Sequence, residues 1–410
     1  MTFDPTTIRP LFPALAQEVA GRPAIFFDGP GGTQVPQMVI DAMSHYLAHD
    51  NANSHGAFAT SRRTDATIAA AHAAMADLLG CEPDEIFFGQ NMTSLTFALS
   101  RAIGRELQAG DEIIVTRLDH DANVAPWHAL SERGVVIREV DIDPIDCTLD
   151  MDDMAAKIGP RTKLVAVGYA SNAVGTINDV RQVVDWAHQV GALVFVDAVH
   201  YAPHGCIDVK ALDCDFLACS VYKFFGPHVG AMYGKREHLQ RLKPYKVRPA
   251  DDTVPGRWMT GTQNHEGLAG VTAAVEYLAS LGQPAPDRRT ALVTAMERIV
   301  AYERSLAVQL IDGLLKIPGL TFYGIREPER FTWRTPTVSF RLAHLAPRAV
   351  AGQLAEHGIF VWDGNYYALS LSERLGVEPL GGMVRVGLVH YNTADEVDFF
   401  LTTLRKLATR

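Results

Sequence analysis

Short apolar runs alternate with helical patterns along the middle of this chain, and this alternation limits the folds that it can adopt. Between the runs, stretches such as 180–190 repeat apolar side chains at helical spacing. Strand–helix alternation of this kind predicts a mostly parallel sheet with helices on both faces. The seven predicted strands are EIFFG (85–89), EIIVT (112–116), VVIREV (135–140), KLVAVGY (163–169), ALVFVDA (192–198), DFLACS (215–220) and VGAMYG (229–234).

The pattern changes after about residue 265, which predicts a second structural unit. Apolar residues three or four apart indicate a long amphipathic helix over 288–315. The runs TVSF (337–340), IFVWD (359–363) and MVRVGL (383–388) predict strands, and a closing helix is expected near 393–408. We therefore predict a large domain over 21–280 and a smaller α+β domain over 281–410. Residues 1–20 are predicted to pack against the small domain.

Composition narrows the classes of partner and the cellular compartment. The chain has 37 Lys and Arg against 47 Asp and Glu, a net charge of -10, which argues against binding nucleic acid. The beginning of the chain has no signal-peptide pattern, and its apolar runs are too short to cross a membrane. An odd number of cysteines without a CxxC pair suits a reducing compartment, so a soluble cytoplasmic protein is expected. The five cysteines are Cys81, Cys147, Cys206, Cys214 and Cys219.

Polar side chains follow the predicted strands at the points where the strands end. Ligands of open parallel sheets bind beyond these carboxyl ends, so the polar residues are expected to meet at one site. Each residue alone is a weak signal, and the collection is what indicates a site. They are Asn91, Thr93, Asp119, His120, Ser171, Asn172, Asp197, His200, Ser220, Tyr222 and Lys223.

Lys223 and Asp197 are the pair with the most specific chemistry. Lys223 lies between an apolar strand and a Gly-Pro turn, among aromatic residues. A surface lysine at a strand end is the plainer interpretation, but desolvation among aromatics would lower its pKa and suit it to form a Schiff base. Asp197 ends an apolar strand, where it is either a helix N-cap or a buried carboxylate that needs a cationic partner.

The segment FFGQNMTSLTFALSRAI places Gly89, Asn91 and Thr93 in a turn that leads from a strand into a helix. Exposed N–H groups and the helix dipole at such a position attract an anion such as phosphate. The segment matches neither GxGxxG nor GxxxxGK[ST], which disfavours a nicotinamide or ATP enzyme.

These segments together resemble the class V aminotransferase family of fold-type I pyridoxal phosphate (PLP) enzymes, and within it the cysteine desulfurase and selenocysteine lyase group. The resemblance runs from about Phe26 to the C-terminus. It implies a large domain with a mostly parallel seven-stranded sheet between helices, a smaller α+β domain, and PLP as the cofactor. The segments that carry it are LDHDANVAPW (118–127), SNAVGT (171–176), VDAVHY (196–201), ALDCDFLACSVYKFFGP (211–227), RWMTGTQN (257–264) and VRVGLVHYNT (384–393).

The resemblance also implies a role for each matching residue. Lys223 would form the Schiff base with PLP, Asp197 would pair with the pyridine nitrogen, and His120 would stack on the ring. Asn172 would lie near the ring oxygen or the substrate carboxylate, and Arg385 would bind that carboxylate. Thr262 would reach the phosphate of the other subunit's cofactor, which implies a homodimer. The residues expected to hold the phosphate within the same chain are Asn91, Met92 through its backbone, Thr93, Ser220 and Tyr222.

Four positions depart from the desulfurase pattern. A desulfurase carries a nucleophilic cysteine on a loop of the small domain, but the matching stretch here, VWDGNYYALS (361–370), has Tyr367 near that position and Trp362 at the position of an arginine. Sulfur transfer through a persulfide needs a thiolate, so that route is disfavoured. His200 stands where the group usually has glutamine, and Tyr222 where it usually has histidine. Both can hydrogen-bond, so they are expected to tune cofactor binding rather than abolish it.

The leading hypothesis is a PLP enzyme that acts on an α-amino acid, with C–S or C–Se β-elimination as the favoured outcome. An aminotransferase or epimerase would use the same carbanion, and a non-catalytic PLP-binding or scaffold protein is a further alternative. A metal site at His200 and His204, with Asp197 and Cys206, is the least favoured alternative, and no metal is expected. Three aromatic residues are expected either to line the substrate entrance or to belong to a core or dimer contact; they are Trp362, Tyr366 and Tyr367.

Overall fold

A seven-stranded sheet lies at the centre of the large unit in the computed structural model, which describes residues 3–409. Its spatial order is β1-β7-β6-β5-β4-β2-β3. β7 is antiparallel to both of its neighbours, and the other described strands of the sheet run parallel to one another. The strands are β1 (Ile86–Gly89), β2 (Glu112–Thr116), β3 (Val136–Val140), β4 (Thr162–Gly168), β5 (Leu193–Asp197), β6 (Phe216–Ser220) and β7 (Gly230–Gly234).

The predicted sheet is therefore confirmed, with each strand end within one residue of its predicted position. The central strands β5 and β6 consist almost wholly of buried residues, because helices cover both faces of the sheet. In the register of the sheet Asp197 pairs with Gly168 on one side and Ala218 on the other. The carboxyl ends of β4, β5 and β6 consequently lie at one edge.

Eleven helices of six residues or more pack around the sheets in the described part of the chain. They are α1 (Gln37–His45), α2 (Ala59–Leu79), α3 (Met92–Gly104), α4 (Met151–Lys157), α5 (Val180–Gln189), α6 (Arg236–Arg241), α7 (His265–Ser280), α8 (Arg288–Leu315), α9 (Pro347–Glu356), α10 (Leu369–Arg374) and α11 (Ala394–Ala408). Shorter helices are Pro5–Ile8, Ala125–His128 and Val209–Leu212.

The smaller sheet is antiparallel, with the order β8-β9-β11-β10. Two details differ from the sequence prediction. The run 359–363 is not one strand, because Ile359–Phe360 pairs in parallel with Ile25–Phe26 of the N-terminal region while β10 joins the small sheet. β8 was not predicted, since its residues are half-buried or exposed and give a weak pattern. The strands are β8 (Leu320–Tyr323), β9 (Thr337–Leu342), β10 (Trp362–Gly364) and β11 (Met383–Gly387).

Two further strand pairs lie outside these sheets, and both are antiparallel hairpins of two-residue strands. They are Glu18–Val19 with Arg22–Pro23, and Ile142–Asp143 with Thr148–Leu149.

The helix α8 connects the two units. Asp287 caps its N-terminus, where its Oδ1 accepts a hydrogen bond from Thr290 N at 2.8 Å. The buried residues of its first half, such as Met296, pack in the core of the large unit, whereas Leu310 and its neighbours pack against the small sheet. The helix therefore contributes to both cores, and the domain boundary near residue 280 stays a prediction.

The N-terminal segment contacts both units. The Phe12 ring lies 5.3 Å from the Tyr277 ring of α7 and 5.1 Å from the Tyr391 ring near the C-terminus, between centroids. Arg9 Nη1 donates to Tyr391 O at 2.7 Å and forms an ion pair with Glu396 at 2.8 Å. Across the described residues, no helix is both long and apolar enough to cross a membrane.

Candidate active site

A cavity of about 1360 Å³ opens at the carboxyl edge of the large sheet, and residues of the small unit also line it. Eleven of the twelve predicted site residues line it. Their individual roles stay predictions, but the structure brings them to one place. They are Asn91, Met92, Thr93, His120, Asn172, Asp197, His200, Ser220, Tyr222, Lys223 and Arg385.

Lys223 follows β6 on a single helical turn, Val221–Lys223. Its Nζ donates a hydrogen bond to Pro30 O and lies 4.8 Å from the centroid of the Tyr222 ring. Burial, and then the nearby Arg385 cation, lower the pKa of the Lys223 amine from 10.5 to about 7. A substantial share of this amine is therefore neutral and nucleophilic near neutral pH.

Asp197 is the last residue of β5, and its carboxylate is buried at the bottom of the cavity. Its Oδ1 accepts a hydrogen bond from Val199 N at 2.9 Å, and within residues 3–409 no donor reaches Oδ2. Burial raises the pKa of Asp197 to about 6, although the Val199 N–H and the Lys223 cation oppose the rise. A buried carboxylate with one free oxygen fits a protonated ring nitrogen.

Asp119 is a second buried acid at the same depth, and the sequence analysis noted it without giving it a role. Its two oxygens accept hydrogen bonds from Gly168 N at 2.8 Å and from Asn123 Nδ2 at 2.9 Å. Burial and the neighbouring Asp197 carboxylate raise the pKa of Asp119 to about 8. At neutral pH one negative charge, on Asp197, therefore dominates this part of the cavity.

The N-terminus of α3 lines the cavity at the place where the sequence predicts an anion site. Asn91 is the N-cap residue, and its side chain accepts a hydrogen bond from Ser94 N at 2.9 Å. The Met92 N–H, which was predicted to face a phosphate, donates to Ser220 Oγ at 3.2 Å. Thr93 is exposed on the first turn of the helix. The helix dipole and the remaining N–H groups suit a phosphate at this end of the cavity.

Asn172 and Arg385 lie together in the cavity wall. Arg385 Nη1 donates to Asn172 O at 2.8 Å, and the guanidinium carbon lies 4.2 Å from the centroid of the Tyr366 ring. Arg385 Nε and Asn172 Oδ1 are buried without a hydrogen-bond partner in the described residues. A donor and an acceptor that face the same cavity unsatisfied fit a ligand that carries a carboxylate and an N–H or O–H group.

Tyr366 and Tyr367 form a turn over the cavity that we call the twin-tyrosine turn. Both residues have positive φ, 57° and 60°, which is costly for side chains of this size. Asp121 N donates to Tyr367 O at 2.7 Å, and Asn172 Nδ2 donates to Tyr366 O at 2.9 Å. The two bonds tie the turn to the large sheet.

The rings of the turn face the predicted site residues. The Tyr367 ring stacks on His120, with centroids 5.4 Å apart, and Tyr366, Tyr367 and Trp362 all line the cavity. A position that lines the cavity is therefore a better interpretation of these three aromatic residues than a core or dimer contact. Burial lowers the pKa of His120 to about 4, so its ring is neutral.

His200 lines the cavity beside Asp197, and its Nε2 is hydrogen-bonded with Thr335 Oγ1 at 3.2 Å. Burial, helped by nearby cations, holds the pKa of His200 well below its ordinary value. His204 is turned away and pairs with the buried Glu303 through Nδ1 at 2.7 Å. Between residues 3 and 409, no three His, Cys, Asp or Glu side chains are placed so that they could hold one metal ion.

Thr262 is the predicted site residue that lies apart. It is exposed and does not line the cavity of its own chain. Two residues later, Asn264 does line the cavity at its rim.

The structure also adds lining residues that the sequence analysis did not single out. Pro30 and Gly31 come from a loop near the N-terminus, and His228 from the loop after Lys223. The residues that follow Lys223 could have been searched for such a side chain, because they end at the next strand of the same sheet. The N-terminal loop gave no signal of its own.

The comparisons with known proteins agree with this geometry. The Aminotransferase class-V family model matches residues 25–400. A probable cysteine desulfurase from Mycolicibacterium paratuberculosis is 35% identical over 423 residues, which cover 99% of this chain and 58% of that relative. A cysteine desulfurase from an Enterobacter species is 32% identical over 428 residues, which cover 99% of both chains.

Coverage of the relatives is uneven. The chain spans 64% of the cysteine desulfurase from Synechococcus elongatus, to which it is 34% identical over 423 residues that include 99% of this chain. Among solved structures, the apo structure of cysteine desulfurase from Thermococcus onnurineus matches with a TM-score of 0.89 and 28% identity, covering 100% of each chain. This match confirms the fold-type I architecture.

Proposed function

The chain belongs to the class V aminotransferase family, whose enzymes depend on PLP, and on that premise we propose that it acts on an α-amino acid by β-elimination. The favoured leaving group is sulfur or selenium, which makes the protein a cysteine desulfurase-like C–S or C–Se lyase that works without a persulfide cysteine. The observation that carries the proposal is the cavity itself, which combines the low-pKa Lys223 amine with Asp197 and contains no cysteine among its described lining residues.

Lys223 has two tasks in this proposal. Its neutral amine would hold PLP, and the same amine, when free, would take the proton from Cα of the substrate. PLP, when bound, would supply an electron sink for the electron pair that this proton leaves behind. The Asp197 carboxylate would keep the ring nitrogen protonated and so strengthen the sink.

Arg385 and Asn172 orient the substrate. The guanidinium binds the substrate carboxylate, and its position is set by Asn172 O and the Tyr366 ring. The neutral His120 would stack on the ring of the cofactor. The phosphate would be held by the N-terminus of α3 together with Asn91, Met92, Thr93, Ser220 and Tyr222.

The cysteines explain why elimination is favoured over sulfur transfer. Cys219 lies four residues before Lys223 but is fully buried in β6, and burial raises the pKa of its thiol. Burial likewise raises the pKa of Cys147 to about 12. With Tyr367 near the position of the desulfurase nucleophile, sulfur would leave as free sulfide. Cysteine would then yield pyruvate, ammonia and sulfide, with one water consumed.

A homodimer completes the site in this proposal. Thr262 is exposed and does not line the cavity of its own chain. A residue that reaches the active site of the partner subunit must have such a position. Its hydroxyl would donate to the phosphate of the partner's cofactor.

A class V aminotransferase or an amino-acid epimerase is the second candidate, because both begin with the same proton transfer from Cα to Lys223. The aminotransferase and the epimerase differ in the position to which the proton returns. The neutral His120 ring does not favour either of these two reactions. A protein that binds PLP without turnover is a third candidate. Retention of Lys223, Asp197, His120 and Arg385 in one cavity speaks against it.

The test is a visible absorption spectrum of the purified protein before and after addition of an amino-acid panel that includes cysteine, cystine and selenocysteine. We expect a yellow protein whose band shifts with one of them, with release of pyruvate and of sulfide or selenide. A pyridoxamine-like spectrum with a keto acid would indicate the aminotransferase instead. The Lys223→Ala variant should lose the band, and an unchanged spectrum in that variant would refute the site.

A further inference from the structure

A histidine at the rim of the cavity has no role in the reaction described above. His228 lies in the loop that joins β6 to β7, is exposed, and lines the cavity. Its ring stacks on Tyr222, with centroids 4.8 Å apart and an angle of 15° between the planes. The two rings therefore form one unit beside Lys223.

The loop that carries His228 reaches the anion site. Gly230, two residues after His228, packs so closely on Asn91 that a Cβ at Gly230 would lie 2.5 Å from the Asn91 carbonyl carbon. Asn91 is the N-cap of α3. The loop that carries His228 is thus anchored next to the helix N-terminus, where an anion is favoured.

The charges in the cavity leave the phosphate short of cationic partners. Among the described residues that line the cavity, the only lysine is Lys223 and the only arginine is Arg385. Lys223 would be taken up by attachment of the cofactor, and the Arg385 guanidinium packs against the Tyr366 ring and donates to Asn172 O. Burial keeps His120 and His200 neutral by lowering the pKa of each.

We propose that His228, stacked on Tyr222, donates a hydrogen bond to the phosphate group of PLP and is a ligand of this phosphate. The proposal rests on the PLP site proposed above. Tyr222 stands where the family usually has histidine, and His228 returns an imidazole to the phosphate end from six residues further along the chain. An imidazole can donate an N–H in its neutral and its charged form.

The experiment compares how the apoproteins of the wild type and His228→Ala bind PLP and pyridoxal, which lacks the phosphate. The variant loses a hydrogen bond to a charged group, so it should bind PLP about 10- to 150-fold more weakly. Its affinity for pyridoxal should stay unchanged. Inorganic phosphate should compete with PLP in the wild type and less well in the variant.

Three further variants sharpen the test. His228→Lys keeps a donor and should recover most of the PLP affinity, whereas Tyr222→Phe keeps the stacked ring but loses the hydroxyl and should cause a smaller loss. His128→Ala removes an exposed histidine that does not line the cavity and should leave all affinities unchanged.

Two outcomes would overturn the assignment. Equal affinity of wild type and His228→Ala for PLP would show that His228 does not bind the phosphate. An equal loss of PLP and pyridoxal affinity would show that it only shapes the cavity. A wild-type protein that binds neither compound would refute the PLP site itself, which is a separate result from a phosphate-specific failure.

Discussion

Lys223 and Asp197 show how burial sets the chemistry of individual residues. Desolvation, helped by the Arg385 cation, leaves about half of the Lys223 amine neutral near pH 7, as attachment of PLP requires. The same desolvation opposes ionisation of Asp197, but it raises the pKa only to about 6, because the Val199 N–H and the Lys223 cation favour the charged form. Asp197 therefore stays mostly ionised at pH 7, as its proposed task requires.

The pKa of Lys223 leads to a pH prediction for the apoprotein. Because the folded protein lowers this pKa from 10.5 to about 7, the neutral fraction of the amine grows as the pH rises through 7. We expect the rate at which pyridoxal attaches to the apoprotein to rise with a midpoint near pH 7. Stopped-flow absorbance between pH 5 and 10 measures it, with Lys223→Ala as the control that should not react. A midpoint near 10.5 would contradict the assignment.

Sequence reasoning identified the residues at strand ends well, because a buried polar side chain after an apolar run is easy to see. Nine of the eleven predicted residues that share the cavity follow strands in this way, whereas Met92 and Arg385 were expected only from the family resemblance. His228 was missed because it lies in the loop before the next strand and not directly after a strand end, and its stacking on Tyr222 is visible only in the structure. The role of Asp119 was also missed, since its effect depends on how close the Asp197 carboxylate lies across the sheet.

At the scale of elements, the contact between the loop 28–32 and β10 links the N-terminal region to the small sheet. Gly31 has no room for a side chain, because a Cβ there would lie 2.1 Å from Nε1 of Trp362. Pro30 on the same loop accepts the hydrogen bond from Lys223 and packs on Gly387 of β11. The loop therefore connects the lysine to the small unit.

This contact predicts a coupled pair of substitutions. Gly31→Ala should lower the free energy of unfolding by about 1–3 kcal/mol, because the added methyl group overpacks against the indole. In a Trp362→Ala background the same change should cost almost nothing, since the indole is gone. Urea unfolding of the wild type, both single variants and the double variant measures the coupling. If Gly31→Ala lowers the free energy of unfolding equally in the two backgrounds, removal of the Trp362 indole does not relieve the clash.

Elements with strong periodicity were predicted almost to the residue, as α8 and the strands of the large sheet show. The run 359–363 was misread as one strand because its partners lie far away in sequence. Ile359–Phe360 pairs with residues near the N-terminus and β10 with β11, and the sequence does not record where the partner changes. The positive φ angles of Tyr366 and Tyr367 could not be foreseen either, because glycine and asparagine are the usual residues there.

At the scale of the whole molecule, the exposed position of Thr262 makes the proposed dimer testable by mixing two inactive chains. In a dimer of a Lys223→Ala chain and a Thr262→Ala chain, one site would combine an intact lysine with an intact threonine from the other chain. We therefore expect the mixture, after unfolding and refolding together, to bind PLP and turn over substrate better than either variant alone. Activity that stays at the level of the separate variants would place Thr262 in the site of its own chain.

The single antiparallel strand of the large sheet has a consequence for the loop between Ser220 and Gly230. Because β7 runs back beside β6, both ends of this loop are anchored at the same edge, in strands that are wholly buried. Lys223 and His228 are consequently carried on a closed, short segment rather than on a free arm. The conformational entropy of ordering them is lost when the chain folds, before any ligand arrives. The antiparallel direction of β7 thus preorganises this loop for ligand binding. We expect the loop to tolerate neither insertion nor deletion of residues.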